Sequence, residues 1–276
     1  MILMDSAVER HNYGTSARGI AALTATFQLR WRMHFTDRIR KLIPRAVKRA
    51  VKPLLPQILA LPKDPNQYVG TDEVSGQLQL ELLKREGCRP DSKALEIGCG
   101  NLHAGVMLIE HLMKGHYAGV DPNTWLRRQT LKDRRVRELV REKQARFLSV
   151  DNFDASSLGT KFDFILSHSV LSHAAHWQLE QYLRNACKVL APGGRILASI
   201  YLAEGNAYGS SGTPGKQDSM DETWQYPGIS WFKLATVVTA AGRCGLTVVY
   251  KPEYTEFYVK TRPNECHDWL VFYWKG

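Results

Sequence analysis

Apolar residues along this chain recur with two periods. Short runs that are apolar at nearly every position, Ala94 to Ile97, Tyr117 to Val120, Arg146 to Val150 and Phe162 to Leu166, read as strands buried on both faces. Between and after them, Val106, Ile109, Leu112 and Met113, and then Leu179, Tyr182, Leu183, Ala186 and Leu190, recur every three or four positions. That spacing predicts helices with one apolar face. Strands that alternate with helices predict crossover units and an α/β domain with a parallel sheet.

Beyond Leu190 the run Ala191-Pro192-Gly193-Gly194 is expected to close its helix, and Arg195 to Leu202 reads as a fifth strand. Ser230 is placed to cap a helix over 231–241, and 246–250 and 269–273 read as the last two strands. The Gly/Ser-rich stretch 203–228 is longer than the ~15 residues at which a structureless loop becomes unusual. Loops of this kind are lids or acceptor sites, and Trp224, Tyr226 and Trp231 flank it with faces on which a sugar ring can stack.

Upstream the pattern changes. Phe35, Ile39, Leu42, Ile43, Ala46, Val47, Ala50, Val51, Leu54 and Leu55 keep helical spacing with Arg38, Arg40, Lys41, Arg45, Lys48, Arg49 and Lys52 between them. This is a basic amphipathic helix, interrupted at Pro44 and ended by Pro53 and Pro56. The turn-rich 61–66 divides a helical extension, 1–63, from a domain over 64–276. Residues 1–63 hold 12 Lys+Arg against 3 acids, so nearly all of the net charge of +10 belongs to the extension. Its apolar stripe suits packing on the domain or on a second copy, as in a homo-oligomer. It equally suits peripheral contact with an anionic membrane through residues 35–58, at about 1 kcal/mol per basic residue. Nucleic acid ranks last, because only Trp31 and Phe35 lie near the cluster.

The 276 residues, 44% of them hydrophobic, suffice for a full core. No run reaches the ~20 apolar residues of a membrane span, and 1–20 shows no secretory signal, so a cytoplasmic location is expected. Five cysteines without a CxxC pair suggest reduced thiols, neither a disulfide framework nor a zinc ribbon.

The chemistry centres on Glu96-Ile97-Gly98-Cys99-Gly100-Asn101-Leu102, where a strand meets paired glycines and a helix start. Glycine lets the backbone turn sharply, and a helix N-terminus offers unpaired N–H groups to a ligand. The turn lacks the Lys-Ser/Thr ending of a P-loop, and Gly105 lies too far on for the dinucleotide fingerprint. A second strand then closes on Asp121, an acid suited to two ribose hydroxyls.

From Asp91 onward the chain resembles the class I S-adenosylmethionine-dependent methyltransferases. The resemblance implies a doubly wound, seven-stranded, mostly parallel Rossmann-like sheet ending in an antiparallel pair, and S-adenosylmethionine as cofactor. It further implies that Gly98 and Gly100 line the methionine part beside Asn101, that Asp121 holds the ribose, and that Glu96 is the acid ending the first strand. Asp151 and Phe153 would flank the adenine, and Ser167 would face the cofactor from the end of the fourth strand. Gln77, on the helix entering the domain, could reach the cofactor from above.

At that fourth strand end, base-methylating relatives carry an Asn/Asp-Pro-Pro-aromatic run, which is absent. Ser169 to Ala174 resembles instead the run found in methyltransferases of sugars and polysaccharides. A hydroxyl acceptor benefits from a base that titrates near neutrality, which points to His173 and next to His168. His168, His173 and His176 lack accompanying paired carboxylates, so no metal is expected. The acceptor expected is a hydroxyl of a sugar, glycan or glycolipid. A natural-product O- or N-methyltransferase, and a non-catalytic scaffold on the same fold, are the alternatives.

Overall fold

A computed structural model of the chain describes residues 73–210, 219–220 and 228–276, all within a unit that runs over 64–276. The expected helix at 35–58, the boundary at 61–66, Trp224 and Tyr226 lie outside the described residues.

The chain order is α1 (Glu73–Arg85), β1 (Ala94–Ile97), α2 (His103–His111), β2 (Tyr117–Val120), α3 (Thr124–Thr130), α4 (Arg134–Glu142), β3 (Arg146–Leu148), β4 (Phe162–Ser167), α5 (His176–Val189) and β5 (Leu190–Ile200). Three short strands follow, two in the Gly/Ser-rich stretch and one just after it: β6 (Ala207–Ser210), β7 (Ser219–Met220) and β8 (Ile229–Trp231). Then come α6 (Leu234–Arg243), β9 (Leu246–Tyr250), α7 (Pro252–Thr261) and β10 (Asp268–Trp274).

Seven strands form one sheet in the order β3-β2-β1-β4-β5-β10-β9. β1 to β5 pair in parallel, and β10 runs antiparallel to both β5 and β9. Alternation along the strands fills a core on each face. On one face Leu95, Ile97, Ile196, Ala198, Leu270 and Phe272 pack with Leu179 and Leu183 of α5 and Val237 of α6. On the other, Phe164, Leu166, Leu197, Trp269 and Val271 pack with Leu82 of α1, Leu108 of α2 and Tyr258 of α7. Each side chain buried this fully is worth roughly 1.5–3 kcal/mol. No helix among the described residues is long and apolar enough to cross a membrane.

The basic run over 124–143 forms two helices, because Asp133 turns the chain and its carboxylate accepts the Arg135 N–H at 2.8 Å, capping α4. Three local readings are corrected. Ser230 caps nothing: it lies in β8, where Trp231 pairs with Ala207, and the Phe232 N–H is taken by the Tyr201 carbonyl at 2.9 Å. With those donors committed to strand pairing, the helix starts only at Leu234. The Pro192-Gly193-Gly194 segment belongs to β5, whose first residue pairs with Phe162 ahead of a register shift. Finally, α7 separates the last two strands. Its signals, Pro252 at the first turn and Tyr254, Phe257 and Tyr258 at helical spacing, are in the sequence.

Candidate active site

In an open α/β sheet, a crevice opens beyond the strand ends where successive crossovers leave in opposite directions. Here that point lies between β1 and β4, since β2 and β3 lie on one side of β1 and β4 on the other. The loop after β1 is drawn over it. The N–H groups of Gly98 and Cys99 bond the Val120 carbonyl at 2.7 and 3.1 Å, and Leu102 bonds Cys99 at 2.7 Å. Gly98 has φ +83° and Gly100 φ +45°. A Cβ on Gly98 would stand 2.3 Å from Cγ2 of Val170, so this position requires glycine for space as well as conformation. Leu102, Phe153 and Ser169 also adopt left-handed backbone here, at φ 66°, 63° and 56°. Such strain in non-glycine residues collects at functional sites.

Asp121 ties the two glycine-side loops together. Its Oδ2 accepts the Gly100 N–H at 2.9 Å and its Oδ1 the Asn123 N–H at 2.6 Å. Burial raises its pKa, and those two N–H groups act against the rise. A carboxylate has about four lone-pair sites, so two remain for ligand hydroxyls. Asn101 contributes mainly to the scaffold: its carbonyl accepts the Thr130 hydroxyl at 2.8 Å, and its amide lies 2.7 Å from His103 Nε2.

Glu96 takes a different place from the one expected. It is buried between β1 and α2, where Tyr117 donates to its Oε2 at 2.5 Å. Gly105 makes room for the pair, since a Cβ there would meet the Tyr117 hydroxyl at 2.7 Å. Burial pushes the Glu96 carboxyl up to about 8. The acid therefore supports the loop from beneath.

Ser167 is likewise directed inward. It is fully buried, with its hydroxyl 2.8 Å from that of Tyr182, so its side chain faces the core and away from the crevice. Phe153 packs edge-on against the same Tyr182 at 5.6 Å, and Asp151 is exposed in the turn before it. Gln77 is an exposed residue of α1.

The two histidines after β4 separate. His173 is half-buried, at the end of a single turn of tight helix over Leu171–His173. Its Nδ1 lies 2.9 Å from the Gly228 carbonyl and its Nε2 3.5 Å from the Ser169 hydroxyl. A carbonyl only accepts, so Nδ1 carries the proton of the neutral ring and Nε2 the lone pair. His168 instead turns into an aromatic layer, stacked on Trp269 at 5.5 Å. Burial, and next His103, lower its pKa to about 4, which makes it a weak base. Among the described residues no group of three or more His, Cys, Asp or Glu is arranged to hold a metal.

Several residues at this edge escape a reading by motif. Tyr201 follows β5, and Glu265 and His267 precede β10. Pairing of Asp268 with Ile200 sets His267 beside Tyr201, with ring centroids 4.5 Å apart. No local pattern announces that meeting.

Residues 95–196 match the family of methyltransferase domains. Solved structures share the fold. DesVI of Streptomyces venezuelae is 16% identical, covering 75% of this chain and 95% of its own, with a TM-score of 0.50. The CcbJ methyltransferase of Streptomyces caelestis is 15% identical, covering 75% and 98%, at 0.50. The magnesium protoporphyrin IX methyltransferase of Synechocystis, with S-adenosylhomocysteine bound, is 12% identical, covering 74% and 83%, at 0.50.

Proposed function

Because the chain carries a class I S-adenosylmethionine-dependent methyltransferase domain, we propose that it methylates a hydroxyl group of a sugar, glycan or glycolipid. The observation that carries this reading is the orientation of His173. Its Nδ1 is held by the Gly228 carbonyl, which leaves the lone pair of the neutral ring on Nε2, in the turn that follows β4.

The donor set suits the cofactor. Gly98 and Gly100 present backbone where a side chain would obstruct, and Asp121 keeps lone pairs for the ribose hydroxyls. Asp151 and Phe153 would flank the adenine, with the Phe153 ring fixed by Tyr182. When bound, S-adenosylmethionine supplies a methyl group made electrophilic by its sulfonium. The protein's share is to bind and orient the acceptor and to remove its proton. His173 Nε2 takes the proton of the acceptor hydroxyl, and the Gly228 carbonyl stabilises the imidazolium through Nδ1–H. Trp231, half-buried and 4.8 Å from Tyr201, offers a ring face to a sugar.

The test is transfer of labelled methyl from S-adenosylmethionine to a panel of methyl glycosides and glycolipids, with phenols and primary amines as controls. Label on a glycoside or glycolipid hydroxyl supports the reading. Label only on the phenols or amines overturns it.

A further inference from the structure

Tyr182, Asn185 and Lys188 follow one another at three-residue spacing along α5 and so share one side of the helix. That side meets the loop after β3. Asn185 is 7% exposed, and its amide donates to the Asn152 carbonyl at 2.6 Å. Lys188 donates to Asp154 Oδ2 at 2.8 Å, and Tyr182 meets the ring of Phe153 edge-on at 5.6 Å. Three successive residues of the loop, Asn152, Phe153 and Asp154, are thus each held by one residue of a single helix.

The loop is also tied within itself. Asn152 Oδ1 accepts the Asp154 N–H at 3.1 Å, and Asp154 Oδ1 accepts the Ser156 N–H at 2.9 Å. The bond from Lys188, and next that from Ser156, lowers the Asp154 carboxyl to about 2, so the tie to Lys188 is charged at neutral pH. Between these anchors Phe153 stands at φ 63°. Asparagine and aspartate visit that conformation far more readily than a bulky residue does. If a left-handed turn were all the loop required, Asn152 or Asp154 would carry it with less strain. Placing it on Phe153 sets the direction of a ring, and such strain persists only where the surroundings over-determine it. Asn185 carries a parallel cost, since asparagine is a poor helix former and a buried amide is unfavourable unless bonded. Leucine at 185 would suit both the helix and the core beside it. What asparagine adds is the bond to Asn152.

We propose that Asn185 is a positioning residue for the cofactor: by holding the Asn152 carbonyl it keeps Phe153 in the conformation that lays its ring against the adenine. Lys188 secures the far side of the same loop through Asp154. The proposal rests on the placement of Asp151 and Phe153 beside the adenine and adds the helix that sets them. The same helix begins at His176, three positions after His173. One rigid element therefore references both the adenine loop and the turn that carries the base, and a site held from a helix keeps its geometry more closely than one held by a loop alone.

The test is calorimetric titration of the full chain with S-adenosylhomocysteine and with 5′-methylthioadenosine, which keeps the adenosine and lacks the amino acid. Each variant is measured at a temperature where circular dichroism shows it folded. Asn185→Leu should weaken both ligands by the same factor, about tenfold, as for one lost hydrogen bond. Phe153→Ala should weaken both as well. Adding Asn185→Leu to it should cost no more than about twofold further, because the group through which Asn185 acts is gone. A residue that only stabilises the fold lowers Tm and leaves both affinities as they were. Wild-type affinities in Asn185→Leu, a loss seen with S-adenosylhomocysteine alone, or an undiminished loss in the Phe153→Ala chain overturns the proposal. Unchanged binding by Phe153→Ala alone overturns the adenine placement and the proposal with it, whereas a weakened Phe153→Ala beside an unchanged Asn185→Leu overturns the proposal alone. If Asn185→Leu does not fold, Lys188→Met, at an exposed position, should weaken both ligands about two- to fivefold. Wild-type binding by that variant overturns the proposal.

Discussion

His173 and Gly228 are 55 positions apart in the chain, yet the imidazole Nδ1 lies 2.9 Å from the glycine carbonyl. That contact joins the turn after β4 to the residue that precedes β8, and it fixes which nitrogen of the neutral ring carries the proton. The variant His173→Ala should lower kcat by ~10²–10⁴-fold while calorimetric affinity for S-adenosylhomocysteine is unchanged. Retained turnover would reduce His173 to a structural tie between the two segments.

Gly98 carries two separate constraints, φ +83° and the Val170 methyl that a Cβ would meet at 2.3 Å. Gly98→Ala should therefore cost ~1–2 kcal/mol for left-handed backbone and a further ~1–3 kcal/mol for overpacking. Val170→Ala in the same chain removes the opposing methyl, so the double variant should recover the second part and keep the first. Urea denaturation of the three proteins measures both. Additive losses without recovery would show that Val170 is not what crowds the turn.

Glu96 sets a dependence of stability on pH. Its carboxyl is raised from 4.5 to about 8, chiefly by burial, so the folded state favours the protonated form. The stabilisation is complete below the unfolded value and is lost as pH rises through the folded one. Glu96→Gln keeps a neutral acceptor for the Tyr117 hydroxyl and removes the titration. Between pH 5 and 8 the variant should gain on the wild type by ~1.4 kcal/mol per pH unit. Parallel stability curves for the two proteins over that range would mean that Glu96 is charged in the fold.

The sequence by itself determined what short-range physics encodes. Apolar runs and helical spacing marked the strands and main helices. The paired glycines and Asp121 marked the loops that meet at the switch point between β1 and β4. Tertiary structure decided which way the side chains at those positions look and which distant groups they meet. Ser167 and Glu96 stand at strand ends in the sequence as ligand-facing residues would, but packing turns one toward Tyr182 and the other toward Tyr117. His168 and His173 look equivalent in one dimension, and only the fold stacks the first on Trp269 and leaves the second beside Gly228. His267 carries no local signal at all. Its place next to Tyr201 comes from the antiparallel register of β10 on β5, which joins segments more than sixty residues apart. Periodicity records how strongly a position is buried, whereas the identity of its neighbour depends on strand order and register, which the whole core sets together.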